Sequence, residues 1–209
     1  MDARSRLVYA TTAVVAVVWV VLDQATKMAA VRTYSTQPPD DLGPLVLRLI
    51  YNEGGAFSLP IELPWLFVAV TVLVCVLVAR ALPDTHSLGL ATAYGLVVGG
   101  AIGNAADRIF RDGAVVDMLD LDFPPLESFP VFNVADIGIT VGAVAVAVLM
   151  FLAERRAVTG QDRAVLDDTD AAASPEGDRP RDEAPAEAAA TTTSRSTPAR
   201  SGGDEPAGA

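Results

Sequence analysis

The sequence predicts an α-helical integral membrane protein: four transmembrane helices, a small extracytoplasmic β-sheet and a disordered C-terminal tail. Three observations carry that prediction. Four stretches, Leu7–Leu22, Leu63–Ala79, Ser87–Ala106 and Ile137–Ala153, contain no acidic or basic residue over 16 to 20 positions. That is close to the roughly 20 residues that cross a hydrocarbon core as helix. Composition divides the chain: residues 160–209 hold 11 acids and 5 bases, no aromatic residue, and only Val165 and Leu166 as larger aliphatics. Such a segment cannot bury enough apolar surface to offset its chain entropy. Outside that tail, the polar residues gather in two loops, 23–62 and 107–136, which an even number of spans places on one side of the membrane.

The elements follow in order. Arg4 and Arg6 precede the first apolar stretch as in a secretory leader, but Leu22-Asp23-Gln24-Ala25 lacks a small-residue cleavage pair, so an uncleaved anchor is expected. Tyr9, Trp19 and Trp65 suit the aromatic belt at the bilayer surface. In the first loop, Leu45–Tyr51 is aliphatic and β-branched and ends at Asn52-Glu53-Gly54-Gly55, a strand followed by a tight turn. Arg80 to His86, with Pro83, is only a turn between spans two and three. Span three carries Gly95, Gly99 and Gly103 at four-residue spacing, which suits close helix packing or a groove for an incoming helix. The second loop breaks at Asp112-Gly113. A membrane domain is expected over 1–157 and a cytoplasmic acidic tail over 158–209. Basic residues divide five against five between the two faces; those nearest the span ends favour cytoplasmic termini.

Several function classes are excluded. With a net charge of −11 and no basic patch, the chain is not built for nucleic acid. Cys75 is the single cysteine and His86 the single histidine, which argues against a disulfide framework, a histidine zinc site and a Ser-His-Asp triad. Cys75, inside an apolar run, is expected to be a buried thiol.

Asp117 and Asp136 stand out. Each lies beside hydrocarbon-length sequence, where an ionised carboxylate is costly and marks function. Asp117 sits among Val115, Val116, Met118 and Leu119, a setting that raises a carboxyl pKa; Asp136 opens span four, where the helix N-terminus favours an anion. Two converging carboxyls in unequal settings suit general acid–base hydrolysis, whereas a helix cap is the plainer role for Asp136. Asn104, Asp107 and Arg108 share a face if span three continues helically; a brace is expected, with Arg108 holding Asp107 ionised. Asp23 and Lys27, at i and i+4, form a natural ion pair. Asp117, Asp120 and Asp122 lack the glycine and distal glutamate of a calcium loop, so no metal is expected.

Five motifs then occur in order: Leu22-Asp23-Gln24-Ala25-Thr26-Lys27, Asn52-Glu53-Gly54-Gly55-Ala56-Phe57-Ser58, Gly99-Gly100-Ala101-Ile102-Gly103-Asn104-Ala105-Ala106-Asp107-Arg108, Val115-Val116-Asp117 and Phe132-Asn133-Val134-Ala135-Asp136. Together, over about residues 7–153, they resemble the lipoprotein signal peptidase (signal peptidase II) family. The resemblance implies an aspartyl endopeptidase of the bacterial inner membrane with Asp117 and Asp136 as its dyad. It implies that Asn52, Gly54, Asn104, Arg108 and Asn133 line or brace the site, that Asp23 and Lys27 belong to the first motif, and that Asp107 supports the site. The implied substrate is a diacylglyceryl-modified prolipoprotein, cut just before its lipidated cysteine by a monomeric enzyme among membrane lipid, with no cofactor. A small extracytoplasmic sheet and a short helix over the site are implied as well. Gly55 departs from the family's usual alanine, and Asp120–Phe129 adds two prolines and extra acids near the site. Rival classes are a small transporter subunit using the aspartates as a proton relay, a metal-dependent lipid-headgroup enzyme and a membrane scaffold. A relay calls for carboxylates near the bilayer midplane, whereas both candidates lie at span ends.

Overall fold

In a computed structural model, residues 2–53 and 64–173 are described. Four helices long and apolar enough to cross a membrane form the body: α1 (Ala3–Tyr34), α2 (Pro64–Ala81), α3 (Leu88–Phe110) and α4 (Val134–Ala173). Each expected span falls on one of them. The first helix continues well past Leu22, through Asp23 and Lys27, because those charges neutralise each other inside it. The fourth continues past Ala153 through Glu154, Arg155, Arg156 and Ala157, all good helix formers. Residues Met1–Val165 form one compact unit.

α3 is the central helix: 56% of its apolar window is buried, against 11–17% for the other three. Small residues allow this. A Cβ at Gly95 would lie 2.7 Å from Val15 Cβ, and one at Gly99 2.8 Å from Ala16 O. Gly103 meets Asp23, and Gly100 meets Ala135 and Ile139 of α4. The glycine stripe is therefore a packing surface that α1 and α4 already fill. Thr12 Oγ1 adds a buried hydrogen bond to Ala91 O at 3.0 Å. The outward faces of α1, α2 and α4 expose Val17, Val21, Val72, Leu77, Val144 and Phe151, the surface expected against lipid tails.

The Trp19 indole N–H donates to Val134 O at 3.0 Å and fixes the start of α4. Cys75 is only half-buried, lining an apolar groove of about 550 Å³ between α2 and α3.

The two membrane ends differ sharply. At one, a short 3₁₀ turn (Leu82–Asp84) links α2 to α3, Ser87 caps α3, and the Arg4 guanidinium donates twice to His86 O. At the other lies a three-stranded antiparallel sheet: β1 (Asp40–Asp41), β2 (Leu45–Asn52) and β3 (Val115–Leu121), in that order. β2 matches the strand expected at 45–51. β3 has no counterpart in the sequence reading, and it is the strand that carries Asp117. The turn into it needs left-handed backbone at Asp112 (φ 52°) and Gly113 (φ 92°); glycine adopts this freely and Asp tolerates it. Apart from the ends of α1, α3 and α4, the described residues of the two loops contain no helix, and residues 54–63, Gly54 and Gly55 included, lie outside the described residues.

Candidate active site

The site forms where β2, β3, α3 and the start of α4 meet. Register places Asn52 opposite Val115 and Ile50 opposite Asp117. Asn52 and Asp117 are thus diagonal neighbours on one face, within reach of each other across the strands; Asn52 Nδ2 donates to Asp117 Oδ2 at 2.9 Å. Beyond β3 the chain doubles back, and Phe132 pairs with Leu119. That bridge delivers Asn133 to the other side of Asp117.

Asn133 is fully buried and joins the two aspartates. Its Nδ2 donates to Asp117 Oδ1 at 2.7 Å, with further contacts to Asn104 Oδ1 at 3.1 Å and Val116 O at 3.3 Å. Its Oδ1 accepts from Asp136 N at 3.0 Å, while Asp136 Oδ2 accepts from Asn133 N at 3.1 Å. This reciprocal pairing is a capping box, built from Asn and Asp at the first turn of α4. Asp136 therefore does cap its helix, and its other oxygen remains free to engage Asn104 Nδ2 at 2.7 Å. The two sequence readings of Asp136 are compatible because a carboxylate has two oxygens.

Asp117 is 3% exposed. Burial is the main cause that pushes its carboxyl from the usual 3.8 up to about 6, with the Asp136 charge adding to it. Amide donation from Asn52 and Asn133 and the Lys27 charge act the other way. An acid raised in this way stays protonated in the folded protein up to about pH 6.

Behind the aspartates lies a sealed ionic cluster. Lys27, Asp23 and Asp107 have no exposed side-chain surface, and Lys27 Nζ stands 2.9 Å from Asp23 Oδ2 and 3.0 Å from Asp107 Oδ2. Its third partner is Asn104 Oδ1 at 2.9 Å. The Asp23–Lys27 pair was expected; its third member was not. Asp107 is held by Lys27, by Arg111 Nε at 3.2 Å and by Gln24 Nε2 at 3.0 Å, not by Arg108. Successive helical side chains diverge by about 100°, so Arg108 instead lies over the Phe67 ring at 4.2 Å. It still faces the electrostatic field of Asp136 and Asp117.

Gln24 and Arg111 escaped the sequence reading. Gln24 bridges Asp23 (3.2 Å), Asp107 (3.0 Å) and Gly103 O (3.2 Å). Its place beside Asp23 was the one available signal, as was the i, i+4 spacing of Arg111 from Asp107. Asp120 turns away from Asp117 to pair with Arg48, so the D-x-x-D-x-D run does not converge. Among the described residues no group of three or more His, Cys, Asp or Glu is arranged to hold a metal ion.

Comparison with known proteins gives a consistent result. Residues 15–152 match the family model Peptidase_A8, described as signal peptidase (SPase) II. A lipoprotein signal peptidase of Rhodococcus jostii is 40% identical over 141 residues, covering 66% of this chain and 71% of that protein. One from Halalkalibacterium halodurans is 38% identical over 148 residues, covering 69% and 94%. A bacterial membrane enzyme solved in meso at 1.9 Å superposes with a TM-score of 0.60 at 26% identity, covering 68% of this chain and 92% of its own.

Proposed function

As the chain belongs to the signal peptidase II family, we propose that it removes prolipoprotein signal peptides with an aspartyl dyad, Asp117 and Asp136. Membership already makes it a bacterial membrane peptide hydrolase. The observation that carries the finer reading is the fully buried Asn133 side chain, which bonds Asp117 through Nδ2 and Asp136 N through Oδ1. One side chain thereby ties together the two residues that carry the carboxyl groups, one on β3 and one in the first turn of α4.

With one carboxyl protonated and one ionised, the pair performs peptide hydrolysis without further help. The ionised carboxylate takes a proton from water as the water oxygen attacks the scissile carbonyl carbon. The protonated partner gives its proton to the carbonyl oxygen, forming a tetrahedral diol. On collapse the C–N bond breaks, the first carboxyl passes its new proton to the leaving amine, and the second recovers one from the diol hydroxyl. The leaving amine is the α-amino group of the lipidated cysteine. Asn52, Asn104 and Asn133 position the carboxyls, and Arg108 supplies positive charge beside them.

The placement suits a lipid-modified substrate. Each buried methylene is worth about 0.8 kcal/mol, so a diacylglyceryl cysteine stays in the bilayer, and its bond must be cut at the membrane edge where water is at hand. Both termini lie in the cytoplasm in this reading, and the sheet and dyad face the extracytoplasmic side. The membrane domain is 1–157, the remainder is an accessory tail, and the enzyme works as a monomer.

The test is cleavage of a diacylglyceryl-modified prolipoprotein peptide by the purified full chain in detergent, beside the unmodified peptide. Cleavage before the lipidated cysteine, weak on the unmodified peptide and unchanged by chelator, is expected. A well-folded sample that leaves the modified peptide intact would overturn the proposal.

The pH dependence has a definite sign. Asp117 holds its proton up to about pH 6, so kcat/KM should fall on the alkaline side, with one proton lost and an apparent pKa near 6 that belongs to the pair. Bound substrate excludes water and disfavours the second charge, so the corresponding limb in kcat lies higher. An alkaline limb equally placed in both parameters would contradict this.

A further inference from the structure

Each catalytic aspartate follows a residue whose backbone N–H is gripped by a non-catalytic aspartate. Asp107 Oδ2 accepts from Val116 N at 3.0 Å, one residue before Asp117. Asp23 Oδ1 accepts from Ala135 N at 2.8 Å, one residue before Asp136. Asp107 lies in the last turn of α3 and Asp23 lies in α1, so the two grips come from different helices. Lys27 Nζ joins them as the one charged link among the described residues, at 2.9 Å from Asp23 Oδ2 and 3.0 Å from Asp107 Oδ2, beside the neutral Gln24 amide that also reaches both carboxylates. The same ammonium donates to Asn104 Oδ1, and Asn104 Nδ2 holds Asp136 Oδ1.

We propose that Lys27 is the positioning residue of the dyad, setting the separation of Asp117 and Asp136 through the two backbone grips and Asn104 without touching substrate. The proposal rests on the dyad reading above. Several features favour positioning over mere stabilisation. The three Lys27 donors are all used, each on a partner that leads directly to a catalytic aspartate or its neighbour. Lys27 has no exposed surface, so it has no route to substrate or solvent. The cluster is also neutral: Lys27 and Arg111 balance Asp23 and Asp107. It can therefore hold the strand and the helix start rigidly.

The ammonium has a second, electrostatic reach. The charged groups facing Asp117 are Asp136 from α4, Lys27 from α1 and Arg108 from α3. Taking away the Lys27 charge removes one influence that favours the Asp117 anion, so the alkaline limb of the pair should move up in pH.

Lys27→Met alone would strand buried carboxylates and threaten folding, so the informative variants remove one charge of each sign. Asp23→Asn/Lys27→Met keeps an oxygen able to accept from Ala135 N, and leaves Asp107 with Arg111. Asp23→Asn/Lys27→Gln also restores a donor towards Asn104 Oδ1. Both are measured as full chains in detergent, with the diacylglyceryl peptide, beside Asp117→Asn and Asp136→Asn. A displacement of about 1 Å can cost roughly 100-fold in rate. The Met double should therefore lose about 100-fold in kcat with KM little changed, its alkaline limb should rise, and the Gln double should recover part of kcat. If the folded doubles keep kcat within about twofold and the limb does not move, Lys27 is structural only and the proposal fails. If the dyad variants themselves stay active, it is the dyad reading that falls.

Discussion

Replacing Asp117 or Asp136 with asparagine is expected to reduce cleavage by about 10⁴-fold or more, while the protein still inserts and folds. Each carboxyl is used twice in the cycle, once accepting and once giving a proton, and general acid–base roles are worth roughly 10² to 10⁴ each. An amide can do neither. Because the pair acts as a unit, the double variant should be no less active than either single one. The substitution is mild structurally: Asp136→Asn keeps an oxygen for the Asn133 N–H, and Asp117→Asn keeps one acceptor for Asn52 or Asn133. Thermal unfolding in detergent with product counting separates the two effects. Near-normal turnover in either folded variant would remove that residue from the chemistry.

Asn133→Ala should combine the largest loss of stability with a large loss of rate. The change removes the cap on Asp136 N, worth about 1 kcal/mol. It also leaves Asp117 Oδ1 and Val116 O short of a donor inside the protein, at about 1 kcal/mol or more each. A total near 3 kcal/mol should lower Tm by roughly 5–10 °C. Without the Asn133 amide, one influence holding Asp117 ionised is gone, so the alkaline limb should shift upward as kcat falls about 100-fold. Asn133→Ser separates the contributions: a serine can cap α4 but cannot span to Asp117. It should recover much of Tm and little of kcat. Equal recovery of both would mean that Asn133 matters only as a cap.

The ionic cluster shows why a sequence reading reaches one part of this site and not another. Asp23 and Lys27 are four apart on one helix, and that local geometry made their pairing legible. Asp107 lies far from both in sequence, and its nearest cation in sequence is Arg108. Helical rotation sends Arg108 to Phe67 and brings Lys27, from another helix, to Asp107. Gln24 was legible only as a polar neighbour of Asp23, although it spans both carboxylates.

The end of α1 makes a related point. Hydropathy stops the first span at Leu22 because each charge is weighed alone. In the folded chain Asp23 and Lys27 are fully buried, and the helix passes through them to Tyr34. A buried charge is tolerated when its partners and hydrogen bonds are complete, and sequence does not reveal those partners in advance.

What the amino-acid sequence determined by itself is the membrane frame and the candidate carboxylates. Transfer of a long apolar stretch into hydrocarbon is a local sum over its own residues, so four spans could be read directly. A carboxylate beside such a stretch is conspicuous for the same reason, and this singled out Asp117 and Asp136. Only the tertiary structure decided that β3 exists, that Asn133 stands between the two aspartates, and that Lys27 links the residues preceding them. Those depend on strand register, on the Leu119–Phe132 bridge and on the crossing of α1 with α3. Each is a long-range pairing whose energy appears only when distant segments meet.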